Sequence, residues 1–228
     1  NKVVYSDASS LPLYGKCVEK TSARYERLPE EYKNVIRKPL WDLGRNSAGL
    51  YIRFRSNSTQ IRARWKSTSP RQYMPHMTDV GDNGLDLYIL TEKDGWRFAG
   101  SGFEWGGRDK EVKSKTIIAN MKPQMREYML YLSMYNGIDS LEIGIDDGAV
   151  IEAPAVESPR SGSPVVMYGT SILQGGCASR PGMAFTAILG RKLDREVINL
   201  GFSGNAMLDY EIAEYITRVQ NPGLIVLD

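Results

Sequence analysis

Pro164-Val165-Val166-Met167-Tyr168-Gly169-Thr170-Ser171-Ile172-Leu173-Gln174-Gly175-Gly176 is the stretch whose reading decides the fold of this chain. Its apolar run, Val165 to Tyr168, reads as a short buried strand, and a glycine-rich loop carrying a serine follows at once. In open parallel sheets, reactive groups collect beyond the carboxyl ends of strands, where backbone amides and helix starts converge. Ser171, three residues past the run, is therefore a candidate nucleophile. The same serine reads equally well as a turn residue that caps the next helix, since serine is common in such loops.

Working outward, the residues after this loop keep the pattern of a parallel sheet. A helix is predicted from Met183 to Leu193, started by Pro181; a strand from Val197 to Leu200; a helix around Asp209 to Gln220; and a strand from Leu224 to Leu227. Apolar strands alternating with helices imply right-handed crossovers. Gly201-Phe202-Ser203-Gly204-Asn205 follows the second strand as Ser171 follows the first, so both loops are expected on one edge. Just before the quoted stretch, Glu157-Ser158-Pro159-Arg160-Ser161-Gly162-Ser163 is polar and proline-punctuated, and residues 153–164 read as a linker.

Upstream, the period changes to that of antiparallel sheet. Leu50, Ile52 and Phe54 alternate with Arg53 and Arg55; Ile61, Ala63 and Trp65 alternate with Arg62, Arg64 and Lys66. The intervening Ser56-Asn57-Ser58-Thr59 is good turn chemistry, so the pair is expected to form a hairpin. Further strands are expected at Gly84 to Leu90, Gly95 to Ser101, Met125 to Met134 and Ser140 to Ile145, with a long polar segment from Gly106 to Lys115. Pro29-Glu30-Glu31-Tyr32 reads as a helical turn. Residues 1–152 are thus expected to be an all-β sandwich of jelly-roll type.

Composition bounds the function. The chain has 228 residues, 42% of them hydrophobic, and a net charge of +2 with basic and acidic residues interspersed. That is enough for a real core, and it gives no nucleic-acid footprint. No apolar stretch approaches the roughly 20 residues that span a bilayer, and no signal sequence precedes Asn1, so no membrane partner is expected. Two cysteines, Cys17 and Cys177, rule out a disulfide scaffold while leaving one bridge open. His76 is the only histidine and has no cluster of metal-ligating residues around it, so no metal site is expected. The arginine stripe of Arg53, Arg55, Arg62 and Arg64 is expected on a solvated face. Trp65 and Trp96 fall on the apolar side of their strands, whereas Trp105, in a glycine-rich loop, is the better candidate for contact with a ligand.

Phosphate-cradling motifs are absent: neither Gly-x-Gly-x-x-Gly nor Gly-x-x-x-x-Gly-Lys followed by Ser or Thr occurs, and no cofactor is expected. The strict Gly-x-Ser-x-Gly elbow is also missing, because Leu173 stands where its second glycine belongs. However, Tyr168-Gly169-Thr170-Ser171 followed by Asn199-Leu200-Gly201-Phe202-Ser203-Gly204-Asn205 resembles the first two sequence blocks of the SGNH, or GDSL-type, esterases. Gly84-Leu85-Asp86-Leu87-Tyr88 resembles the Gly-x-Asp-Leu-Tyr signature of the sandwich domain that precedes one branch of them. Thr170 departs from the Asp of Gly-Asp-Ser without touching the serine.

The resemblance implies that Ser171 is the acyl-accepting nucleophile, that the Ser171 and Gly204 amides belong to the oxyanion hole, and that residues 165–228 are the first half of a three-layer, flavodoxin-like α/β hydrolase domain. Asn205 joins Trp105 as a candidate substrate contact. The family's general-base histidine and oxyanion asparagine have no counterpart here, so the functional protein is expected to continue past Asp228 and this chain to be nearly inactive. The implied substrate is an acylated carbohydrate or other small ester, and the implied location is secreted or periplasmic. The competing expectation is a carbohydrate-binding module fused to an inert hydrolase remnant.

Overall fold

Alternating side chains make antiparallel strands of much of residues 51–152, and with two short strands from the first 14 residues they form two sheets face to face, while residues 15–50 carry no strand. The computed structural model describes residues 2–70, 73–104 and 111–228. One sheet has the order β1 (Val3–Asp7), β9 (Ile138–Asp146), β4 (Ile61–Ser67), β7 (Lys113–Ile118). The other runs β10 (Ile151–Glu152), β3 (Tyr51–Ser56), β8 (Arg126–Tyr131), β5 (Leu85–Thr91), β6 (Gly95–Gly102), with β2 (Leu13–Tyr14) added alongside β3. Between them Leu50, Ile52, Phe54, Ile61, Ala63, Trp65, Leu85 and Leu87 are all fully buried. Each large apolar side chain so buried stabilises the fold by roughly 1.5–3 kcal/mol before conformational entropy is set against it.

The expected hairpin between β3 and β4 does not form. β3 pairs with β8, β2 and β10, whereas β4 pairs with β7 and β9, so the chain arches from one sheet to the other and the two apolar stripes meet across the core. The Asp146 carboxylate stabilises this arch, accepting from Ser58 Oγ at 3.0 Å, Thr59 N at 2.8 Å, Thr59 Oγ1 at 2.6 Å and Gln60 Nε2 at 2.8 Å. Those donors hold the carboxyl well below the usual carboxylate range. Two strands of the first sheet lie outside the sequence expectation: β1, and β7, which begins inside the segment read as polar.

Residues 165–228 form a parallel sheet in the order β12 (Val197–Gly201), β11 (Val165–Gly169), β13 (Leu224–Leu227). The helices α4 (Phe185–Leu193) and α5 (Tyr210–Thr217) lie on opposite faces of it. Met167 and Val197 pack with Phe185 and Leu189 on one face; Val166, Tyr168, Ile198 and Leu200 pack with Ile212, Tyr215 and Ile216 on the other. That second face is also covered from upstream, by Leu28, Tyr32, Ile36 and by Leu40 and Trp41 of α1 (Lys38–Gly44). Cys17 lies in this cluster, and burial raises its thiol to about 12; Cys177 is exposed, and both thiols are free.

Helix α4 is shared. Its Ala184 and Ala187 side rests on the outer face of the second sandwich sheet, against Tyr51, Tyr88, Met129 and Tyr131. On the same outer face Arg53 is 0% exposed, which overturns the expectation of a solvated arginine stripe there. Its guanidinium donates to Tyr128 O at 3.0 Å and to Glu127 Oε2 at 2.8 Å and lies 4.5 Å from the Trp96 ring. Trp96 is therefore an outer-face residue, half-buried and bonded to Ser158 Oγ at 2.9 Å, while Trp65 is in the core as expected. Arg55 and Arg64 do reach solvent, paired with Glu152 and Glu142.

The Gly84–Tyr88 signature is the other half of this contact. Buried Asp86 accepts from Gly182 N at 2.8 Å and pairs with Arg180 at 3.2 Å, and Arg191 of α4 lies over the Tyr88 ring at 4.1 Å. Gly182 has no room for a side chain: a Cβ there would stand 2.3 Å from Tyr88 Cε2. Burial outweighs Arg180 and raises the Asp86 carboxyl from 3.8 to about 6. A raised carboxyl contributes stability that is fully present below the unfolded value and is lost as pH rises through the folded one. The melting temperature of wild type relative to Asp86→Asn is accordingly expected to fall as pH rises from about 4 to about 7, by the equivalent of roughly 3 kcal/mol at most. The paired comparison separates Asp86 from carboxylates that act in the opposite sense, such as Asp146 and Asp209; a difference that rises with pH would show that the ion pair, not burial, dominates, and a flat one that the two offset each other.

Candidate active site at the carboxyl edge of the parallel sheet

Gly169 at the end of β11 is in register with Gly201 at the end of β12, and Phe202 N donates to Gly169 O at 2.8 Å, so the two loops leave the sheet side by side. Ser171 opens α3 (Ser171–Gln174), a single turn. The turn ends because Gly175 takes φ 118°, and Gly176 N returns to Ser171 O at 2.7 Å. Tyr135 Oη from the sandwich also donates to Ser171 O, at 3.2 Å. The serine is thus held by its backbone at a partly exposed position, with its Oγ free of any hydrogen bond to the described residues.

On the neighbouring loop Gly204 is exposed at φ 67°, with open space where a Cβ would stand. Neither the Ser171 amide nor the Gly204 amide has an acceptor among the described residues. Two free amides on one edge, one at the start of a helical turn, suit an oxygen that gains negative charge.

Side chains that sequence reading did not single out hold this arrangement. Asn199 Nδ2 donates to Leu173 O at 2.8 Å, and its Oδ1 accepts Gly201 N at 2.8 Å. Arg37 forms a fork with Asp209 at 2.7 and 2.9 Å and donates to Asn205 Oδ1 and Asn205 O, each at 3.0 Å. This fork keeps the Asp209 carboxyl below the usual range. The Asn205 side chain, a candidate substrate contact, is thereby engaged at both ends, since its Nδ2 donates to Ser203 O at 3.0 Å. Arg27 is 1% exposed; it donates to the carbonyls of Leu43, Asn46, Asn199 and Gly201 and lies over the Phe202 ring at 4.8 Å. Burial lowers it to about 10, which leaves it charged at neutral pH. A pattern of periods and motifs carries no signal for such residues, because each acts at long sequence separation.

Trp105 lies outside the described residues. His76 is exposed and has no hydrogen bond to Ser171 among the described residues. Its segment does approach the serine loop, for Thr78 Oγ1, at the start of α2 (Asp79–Asn83), donates to Ser179 O at 2.7 Å, so docking alone does not separate the two. Among the described residues no group of His, Cys, Asp and Glu is placed to hold a metal ion, and no helix is long and apolar enough to cross a membrane. A groove of about 460 Å³ adjoins the second loop, lined by Leu43, Asn46, Ser69, Tyr135, Ser203 and Asn205 among others.

Comparison with known proteins gives the family. The family model described as the N-terminus of SGNH-hydrolase-type esterases, GxDLY, matches residues 3–151, and that of the GDSL-like lipase/acylhydrolase family matches residues 162–228. A crystal structure from Bacteroides ovatus described as a GDSL-like lipase is 36% identical, with a TM-score of 0.89 over 100% of this chain. The salicylyl-acyltransferase SsfX3 of a tetracycline biosynthetic pathway shares the fold over 99% of the chain at 17% identity and a TM-score of 0.71. The chain spans 64% of the first structure's length and 61% of the second's. No curated protein matches it.

Proposed function

Because the chain belongs to the GDSL-like lipase/acylhydrolase family with a GxDLY N-terminal domain, we propose that it is the nucleophile-bearing part of a serine esterase that removes acetyl or other short acyl groups from a carbohydrate outside the cytoplasm. The observation that carries this reading is the placement of a Ser171 hydroxyl and two unengaged amides, of Ser171 and Gly204, on one sheet edge. Ser171 Oγ attacks the ester carbonyl, the amides hold the oxyanion, and the alcohol leaves with a proton from the base; water then releases the acid and restores the serine. The neighbouring groove favours an uncharged polyol on the alcohol side, since it offers Asn46, Ser69 and Tyr135 as hydrogen-bonding groups beside apolar Leu43, and its one charged lining residue among those described, Asp42, is paired with Lys38.

The base, and a third oxyanion donor, belong in this proposal to residues after Asp228. His76, the only histidine of the chain, is not bonded to Ser171, and a serine hydroxyl needs a base within hydrogen-bond reach. The full-length protein containing the residues after Asp228 is therefore expected to hydrolyse p-nitrophenyl acetate, with the 228-residue chain slower by roughly 10³-fold or more. Equal rates would place the base within this chain. An inert full-length protein that still binds polysaccharide would favour the binding-module reading instead.

A further inference from the structure

We propose that Gln174 is a positioning residue that holds the oxyanion turn against the serine helix, an inference that rests on Ser171 and Gly204 being the reacting site. Gln174 is 0% exposed, and both ends of its side-chain amide are used. Its Oε1 accepts Ser203 N at 2.8 Å, and its Nε2 donates to Met134 O, in the sandwich, at 3.0 Å. The residue thus joins three parts: the helix that Ser171 begins, the turn that carries Gly204, and the sandwich loop after β8 that also supplies Tyr135 to Ser171 O.

The consequence concerns the next amide along. With Ser203 N tied to a buried oxygen, the turn is set so that Gly204, at φ 67°, keeps its own N–H unengaged. The fit leaves no slack, because a Cβ on Gly201 would stand 2.2 Å from Gln174 N; the serine helix rests directly on the end of β12. Only a neutral side chain of this length that both donates and accepts satisfies both neighbours. An apolar replacement orphans the Ser203 amide and the Met134 carbonyl, and an ionised glutamate turns an acceptor onto that carbonyl. Oxyanion donors act only when preset to within a few tenths of an ångström, so loosening the turn affects the transition state more than the bound ester.

The test uses the full-length protein and p-nitrophenyl acetate, with Gln174→Met, Gln174→Glu and a Ser171→Ala control, each checked for folding by circular dichroism. Gln174→Met is expected to lower kcat roughly 10- to 100-fold while KM stays within about twofold. A protonated glutamate offers both a donor and an acceptor, so the kcat of Gln174→Glu relative to wild type is expected to rise as pH falls from about 8 to about 5. A folded Gln174→Met with wild-type kcat, or with its loss confined to KM, overturns the proposal. If Gln174→Met does not fold, the glutamate ratio decides alone, and a ratio that stays flat with pH overturns it. A Ser171→Ala control as active as wild type removes instead the reading of the site itself.

Discussion

Ser171→Ala in the full-length protein is expected to lower the rate of acetyl-ester hydrolysis by roughly 10⁴-fold or more while leaving the fold unchanged. The first half of that expectation follows from chemistry: the hydroxyl is the only atom the serine contributes to bond making, and no neighbouring serine occupies the start of the helical turn. The second half follows from how the residue is held. Gly175 N, Gly176 N and Tyr135 Oη all reach its carbonyl oxygen, and alanine keeps that carbonyl. Alanine also suits the first position of a helix. Melting curves of the two proteins should therefore coincide within about 1 kcal/mol. Rates measured beside circular dichroism decide the matter: a folded alanine variant as fast as wild type would make Ser171 a turn residue and leave the sandwich as the functional part.

The largest effect on stability is expected at Arg27. Its guanidinium serves four carbonyls, of Leu43, Asn46, Asn199 and Gly201, and bonds to no carboxylate among the described residues. Arg27→Met fills similar space but takes the guanidinium donors away from those oxygens, of which Leu43 O keeps Asn46 N at 3.0 Å, and hydrogen bonds to a charged group contribute about 1.5–3 kcal/mol each. Relief from burying the charge offsets part of this sum, for burial disfavours the ionised form here. A net loss of about 4 kcal/mol is expected, or a fall in melting temperature of roughly 8–16 °C for a chain of this size. Arg27→Lys should recover little, because a single ammonium cannot reach carbonyls on both segments as the planar fork does. A urea midpoint within about 1 kcal/mol of wild type would show that water replaces the guanidinium.

The placement of Arg27 also shows why some features were legible in the sequence and others were not. Strand and helix identity were legible wherever one face is wet and one dry. The alternations at residues 50–55 and 60–66, and the apolar runs at Val165 to Tyr168 and Val197 to Leu200, match the observed strands to within a residue or two. The two loop blocks were legible as well, because a glycine-rich segment after a parallel strand leaves few places for its residues to go. Their placement on one edge, β11 with its serine and then β12 with its glycine, follows from the order of strands and loops.

Partners across the fold were decided only by tertiary structure. The turn residues 56–59 suit a hairpin and a sandwich arch alike, and the arch forms because Asp146, far along the chain, brings the donors of residues 58–60 onto itself. Arg53 has the period of an exposed residue and is buried because Trp96, Glu127 and the Val156 segment close over it. Gln174, Arg27 and Arg37 look like ordinary polar residues in sequence, and their roles follow from hydrogen bonds to distant segments. A local pattern records which side of an element faces solvent in isolation, whereas the satisfaction of buried polar groups depends on which segments meet, and that is determined only once the sheets and helix α4 have packed together.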